Sequence, residues 1–187
     1  IAAGALANAR TFGGHDYIGY HTFMALTPAL DMSSELPTER RVLPILKVLY
    51  RNTDRIQQFG GSSHEVLRRL DAHKHAGLDH AGEQLQAATR VADFDQAEKI
   101  MAAMSGESRE KIFNAVQLPV QDEANVHRVV LAWRAWLAID LVGEQHASTL
   151  LRQSVRFCLR DTESRIEQGR PAPELWTLLP QLLEQYK

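Results

Sequence analysis

The longest apolar run in the chain, VVLAWRAWLAIDLV, sets what the rest must be built around. A membrane span needs roughly 18–20 apolar residues without interruption, and this shorter run carries Arg134 and Asp140. It reads as a buried helix of a globular core, and no membrane span is expected. Elsewhere apolar residues recur at three- and four-residue spacing, and no segment alternates with period two between turn residues. The expected fold is all-α: one helical domain over residues 1–187, a bundle of about seven to nine helices. A composition of 44% hydrophobic and 24% charged residues agrees with a globular chain. The chain opens on Ile1 without an initiator methionine, so an upstream N-terminal segment is expected.

Local signals divide the chain into elements. IAAGALANAR is small and apolar, and Gly13 and Gly14 break the helix it forms. Helices are expected over about 17–36 and 38–59, with Pro37 suited to a first turn and Pro28 and Pro44 marking kinks or shortened helices. Ser62 with Glu65, and Asp93 with Gln96, have capping-box spacing. DAHKHAGLDHAGEQ reads as a polar connector or short helical pieces. DFDQAEKIMAAM and SREKIFNAV predict two short helices, 125–142 a long one ended by Gly143, and EQHASTLLRQSVRFCLRDTESRIEQ and PELWTLLPQLLEQY two more. His21 opens an apolar helix followed by LPILKVLYR, and His127 opens another followed at nearly the same distance by TLLRQSVRF. The bundle therefore also reads as two pseudo-repeated helical hairpins, whose leading histidines approach its axis.

Charge and cysteine content narrow the chemistry. Lys and Arg number 21 against 23 Asp and Glu, so no global field favours nucleic acid. The single cysteine, Cys158, forms no intrachain disulfide and excludes multi-cysteine zinc or iron–sulfur sites; its neighbours suggest core rather than nucleophile. No GxSxG, P-loop or dinucleotide-binding glycine motif occurs. Arg152, Arg156 and Arg160 repeat every four residues, as a salt-bridged outer face or a holder of anionic groups would.

Eight histidines remain, without an HExxH or ExxH signature. His21 lies on a face of small and apolar neighbours, and His127 shares a stripe with Leu131, Arg134, Ala138 and Leu141. A buried imidazole must hydrogen-bond or ligate something. His15 and His21 are six residues apart, about 600° of helical rotation, so they share a site only if His15 folds back from the GGHD turn. Asp16 either caps the following helix or orients an imidazole from behind. His146 either completes a site with His127 or lies at the surface. His73, His75 and His80 form an HxH-type cluster whose charged flanks suggest a solvated loop. Arg134, between Trp133 and Trp136, calls for a buried carboxylate.

HDYIGYHTFMAL, VLYRNT, VQD, VHRVV, RAW and TLLRQSVR resemble an uncharacterised family of bacterial helical proteins, of planctomycete type, whose precursors often carry a twin-arginine export signal. The likeness extends over roughly half of the chain and includes His15, Asp16, His21, Tyr50, Arg51, Asn52, His127, Arg134 and His146. It implies an exported, periplasmic protein that acquires a cofactor before translocation, although the chain shows no such signal and a cytoplasmic location stays open. The histidine-led apolar helices are also faintly similar to questin-oxidase-like proteins, which are linked to oxidative ring chemistry.

These readings combine into one expectation: a histidine-lined core site for a transition metal, iron by preference, or haem, supporting oxidoreductase chemistry. His21 and His127 are the expected first ligands, with His15 and His146 next. Asp16 stands behind them, and Tyr17 and Arg134 face a small-molecule substrate. The absence of CxxCH excludes covalent c-type haem. The competing expectations are a non-catalytic helical scaffold or interaction module with structural histidines, and a cofactor-free enzyme using His and Asp as acid and base. Homo-oligomers are compatible with each.

Overall fold

The computed structural model describes residues 1–68, 70 and 79–186. Among them are nine α-helices and no strand: α1 (Ala2–Phe12), α2 (Tyr17–Glu35), α3 (Val42–Gln58), α4 (Ala81–Arg90), α5 (Phe94–Ala103), α6 (Arg109–Val120), α7 (Val126–Val142), α8 (Ala147–Glu167) and α9 (Leu175–Gln185). None of these is long and apolar enough to cross a membrane.

The two hairpins expected from the sequence are present, α2 against α3 and α7 against α8, and they meet where α2 packs on α7. A single 3-10 turn at Thr38–Arg40 precedes α3, and Pro44 falls in the first turn of that helix, where its missing N–H has no intrahelical role. Pro28 lies inside a continuous α2. The expected helix after Ser62 is only a 3-10 turn, Gly61–His64, and Glu65 pairs with Arg10 at 2.7 Å instead of closing a capping box. Of the stretch DAHKHAGLDHAGEQ, residues 71–78 lie outside the described residues, and its last four residues begin α4 at Ala81. The buried stripe of α4, Ala81, Gly82, Leu85, Ala88 and Thr89, is made largely of small residues around one leucine.

The centre of the bundle is α8 rather than the more apolar α7. Leu150, Leu151, Val155, Cys158 and Leu159 of α8 are fully enclosed, and α1, α4, α5, α6 and α7 pack around them. On α7 only one face is buried, through Leu131, Ala132, Ala135, Ala138 and Ile139, whereas Val126, Val129 and Trp133 stand in solvent. Arg152, Arg156 and Arg160 do not form an outer face. Arg152 is buried and donates to the Arg68 carbonyl at 2.6 Å, Glu98 pairs with both Arg152 and Arg156, and only Arg160 reaches the surface. Cys158, in the same core, has its thiol pushed up to about 12 by burial, which suits core packing and not nucleophilic attack.

A buried polar node registers the first three helices. The Asn8 side-chain amide donates to Asn52 Oδ1 at 2.6 Å and to the Gly19 carbonyl at 2.8 Å, and Asn52 Nδ2 donates to the Gly4 carbonyl at 3.1 Å. Thr22 Oγ1 lies 3.2 Å from Asn52 Oδ1 and joins α2 to the node. At the far end of the hairpin, Ser33 Oγ donates to the Arg41 carbonyl at 2.6 Å.

The turn between α1 and α2 depends on glycine. Gly13 ends α1 with φ 53°, its N–H on the Ala9 carbonyl, and Gly14 follows at φ 80°. A β-carbon on Gly14 would stand 2.3 Å from the backbone oxygen of Gln153 on α8. Gly14→Ala should therefore cost about 3 kcal/mol or more, combining left-handed strain with displacement of a core helix. Gly169→Ala has the same backbone problem at φ 63° but open space around it, and should cost only about 1 kcal/mol. Urea denaturation of both variants checks this; equal losses would show that the approach to Gln153 is unimportant.

Candidate functional site

The Asp16 side chain begins the site by capping α2: it accepts from the Gly19 N–H at 2.6 Å and holds Arg55 through a fork, at 2.8 Å to Nε and 2.6 Å to Nη2. The Arg55 guanidinium keeps the Asp16 carboxyl below the usual carboxylate range. This capping role replaces the expected orientation of an imidazole from behind, because both carboxylate oxygens are engaged.

One turn into α2, His21 Nδ1 lies 2.7 Å from the Tyr17 carbonyl. A carbonyl only accepts, so Nδ1 carries a proton, and in the neutral form of the ring Nε2 keeps its lone pair. That nitrogen faces α7. Asn125 caps α7 through the His127 N–H at 2.9 Å, and the adjacent Arg128 is buried, donating to Asp161 at 2.9 Å, to the Pro119 carbonyl at 3.0 Å and to Glu123 at 3.1 Å. These bonds fix the start of α7 and bring His127 Nε2 to 3.2 Å from His21 Nε2. The ring centres are 5.0 Å apart with planes at 74°. Tyr17 and Tyr20 pack beside His21, with ring centres at 4.3 and 4.7 Å, and Tyr20 and Phe157 flank His127. Burial, with Tyr17 and Asp161 nearby, raises Tyr20 above the ordinary phenol range, so it stays a neutral hydroxyl.

Two clefts open on this pair. One, of about 680 Å³, lies between α2 and α3 and is lined by Tyr17, His21, Ala25, Pro28, Met32 and Arg51 among others. The other, of about 370 Å³, is bounded by His127, Tyr20, Phe157, Asn125, Asp161 and His15 among others. Asp161 shares Arg128 with Glu123, whose carboxyl is pushed up by burial and by the neighbouring Asp161 charge.

The remaining expected ligands do not converge. His15 borders the smaller cleft but is engaged by other partners: Arg160 Nε donates to its Nδ1 at 3.3 Å, and Phe94 stands edge-on to its ring. His146 sits beyond the far end of α7, about 25 Å of helix from His127. Arg134 is half-buried with no ion-pair partner among the described residues, and lines neither cleft; the buried, carboxylate-paired arginine of α7 is Arg128. Tyr17 does border the larger cleft. His73 and His75 lie outside the described residues, and His80 is exposed. Among the described residues no group of three or more His, Cys, Asp or Glu side chains could hold a metal ion. Tyr20, Arg128 and Asp161 belong to no catalytic or metal-binding motif of the sequence. The signal for Asp161 was its place four residues after Phe157 on α8, which puts both on one face.

Comparison with protein-family models, curated proteins and solved structures gave no match.

Burial, followed by the charges of Arg156 and Arg160, lowers His15 to about 4, so it is neutral in the fold. In the unfolded chain it protonates near pH 6.5, so the unfolded state binds the extra proton between about pH 6.5 and 4. The stability this residue contributes is complete above pH 6.5 and falls as pH drops toward 4. Allowing for its partial exposure, the loss should be about 2 kcal/mol. Denaturation at several pH values should show His15→Gln losing correspondingly less stability across this window than the parent; parallel curves would refute the assignment.

Proposed function

We propose that His21 and His127 form a two-imidazole ligand pair for a transition-metal ion, with the remaining coordination positions open to water or a small molecule. The observation that carries this reading is the 3.2 Å separation of two Nε2 atoms, one of which is set as a lone-pair donor by the Tyr17 carbonyl. Imidazole nitrogens at about 2.05 Å from one tetrahedral ion stand about 3.3 Å apart. A second nitrogen held by a backbone carbonyl is the usual support of a ligating histidine. Axial nitrogens on a haem iron stand on the order of 4 Å apart with the macrocycle between them, so a single ion suits this pair better than haem. Iron or copper in the pair would support oxidoreductase chemistry beside the apolar cleft, whereas zinc would supply Lewis acidity only.

A non-catalytic interaction module is the second reading. It is favoured by the exposed apolar stripe on α3, at Leu43, Leu46 and Tyr50, and by the exposed Val126, Val129 and Trp133 on α7.

Tag-free protein titrated with Fe(II), Cu(II), Co(II) and Zn(II) separates the two readings. The metal reading expects one ion per chain, with His21→Ala and His127→Ala each weakening binding at least tenfold, and His80→Ala and His146→Ala leaving it unchanged. Absence of stoichiometric binding, or equal affinity in all four variants, would remove it and favour the module.

A further inference from the structure

The walls of the larger cleft differ chemically along its length. Ala25, Pro28 and Ala29 give α2 a trough of small side chains, and Pro44 and Val48 close it from α3. At about 680 Å³ it falls within the size range of small-molecule sites, roughly 300–1,000 Å³. Its only formal charges are Lys47 and Arg51, one helical turn apart on α3, and no carboxylate borders it. Both side chains are exposed, and neither forms an ion pair or hydrogen bond with any described residue. Arg55, the next basic residue on that helix, is fully engaged by Asp16.

The register of the hairpin gives the cleft a direction. Thr22 meets Asn52 at one end and Ser33 meets Arg41 at the other, so α2 and α3 run antiparallel. Arg51 therefore lies at the end that holds Tyr17, His21 and Thr22, while Met32 and Pro44 form the apolar end. From His21 to Met32 the trough runs about 16 Å.

We propose that this cleft binds an amphiphilic carboxylate, with the carboxylate on Arg51 and Lys47 and an apolar chain lying in the trough toward Met32 and Pro44. Guanidinium recognises carboxylate through two parallel hydrogen bonds, and the ammonium adds a second charge. The apolar chain supplies most of the buried area, and the two cations favour the carboxylate over a neutral analogue and repel a cationic one. The proposal rests on the cleft alone and requires no ion at the histidine pair.

Calorimetric titration of tag-free, metal-free protein with decanoate, kept below its micelle concentration, tests it against decanol and decylammonium. Decanoate should bind one per chain, at least tenfold tighter than decanol, with decylammonium weaker still. Lys47→Gln with Arg51→Gln should reduce decanoate to the level of decanol and leave decanol unchanged. Ala25→Trp, which fills the trough from an exposed position, should abolish binding of both, with the helical circular dichroism of every variant preserved. Equal binding of decanoate and decylammonium, an unaffected charge variant, or undiminished binding in Ala25→Trp would each overturn the proposal. So would sedimentation showing a dimer that Ala25→Trp dissociates while decanoate fails to bind, because the face would then join two copies of the chain.

Discussion

Asn52 is the point on which the first three helices are registered. Its amide is fully buried, accepts from Asn8, donates to the carbonyl of Gly4 and lies within hydrogen-bond reach of Thr22. A buried amide left without these partners carries the full cost of its desolvation, so the three helices cannot slide past one another without exposing that cost. The residue before Thr22 is His21 and the residue before Asn52 is Arg51. The imidazole that meets α7 and the guanidinium at the cleft mouth are thus each one residue from the same buried node.

The second histidine is placed in the same manner. His127 precedes Arg128, whose guanidinium is enclosed by Asp161, Glu123 and the Pro119 carbonyl. A buried arginine with one partner removed is strongly destabilising, which makes this anchor rigid even where it adds little net stability. Each member of the imidazole pair is therefore a partly exposed side chain attached to a deeply buried polar neighbour. The encounter at 3.2 Å, itself within hydrogen-bond distance, joins two separate hydrogen-bond systems.

Much of this was legible in the residues. Period-three and period-four spacing gave the helical class, GGHD gave the turn, and Asp16 had the form of a cap. The inward faces expected of His21 and His127 suggested their meeting, although both side chains are only half-buried. What was not legible was tertiary. Helix α4 was foreshadowed only as short helical pieces up to residue 84, because small residues surround Leu85 in its buried stripe. The central position of α8 was hidden by Arg152, Gln153, Ser154 and Arg165, which are buried in the fold but count as polar in any pattern. On α7 the one-residue difference between the His127 stripe and the true core face moved the buried arginine from Arg134 to Arg128. His15 and His146 could be separated from the pair only by knowing where α8 runs and how far α7 extends.

The C-terminal helix is held differently from the rest. No residue of α9 is buried, and its Trp176 lies 4.9 Å from the guanidinium of Arg90 on α4 and 5.0 Å from that of Arg165 on α8. Cation–π attraction to two arginines from different helices joins α9 to the bundle through one indole. Trp133 and Trp136, the other two indoles, both belong to α7. Trp176 is accordingly a built-in optical reporter for the docking of α9, since its emission answers to two charges that leave the ring when the helix lifts away.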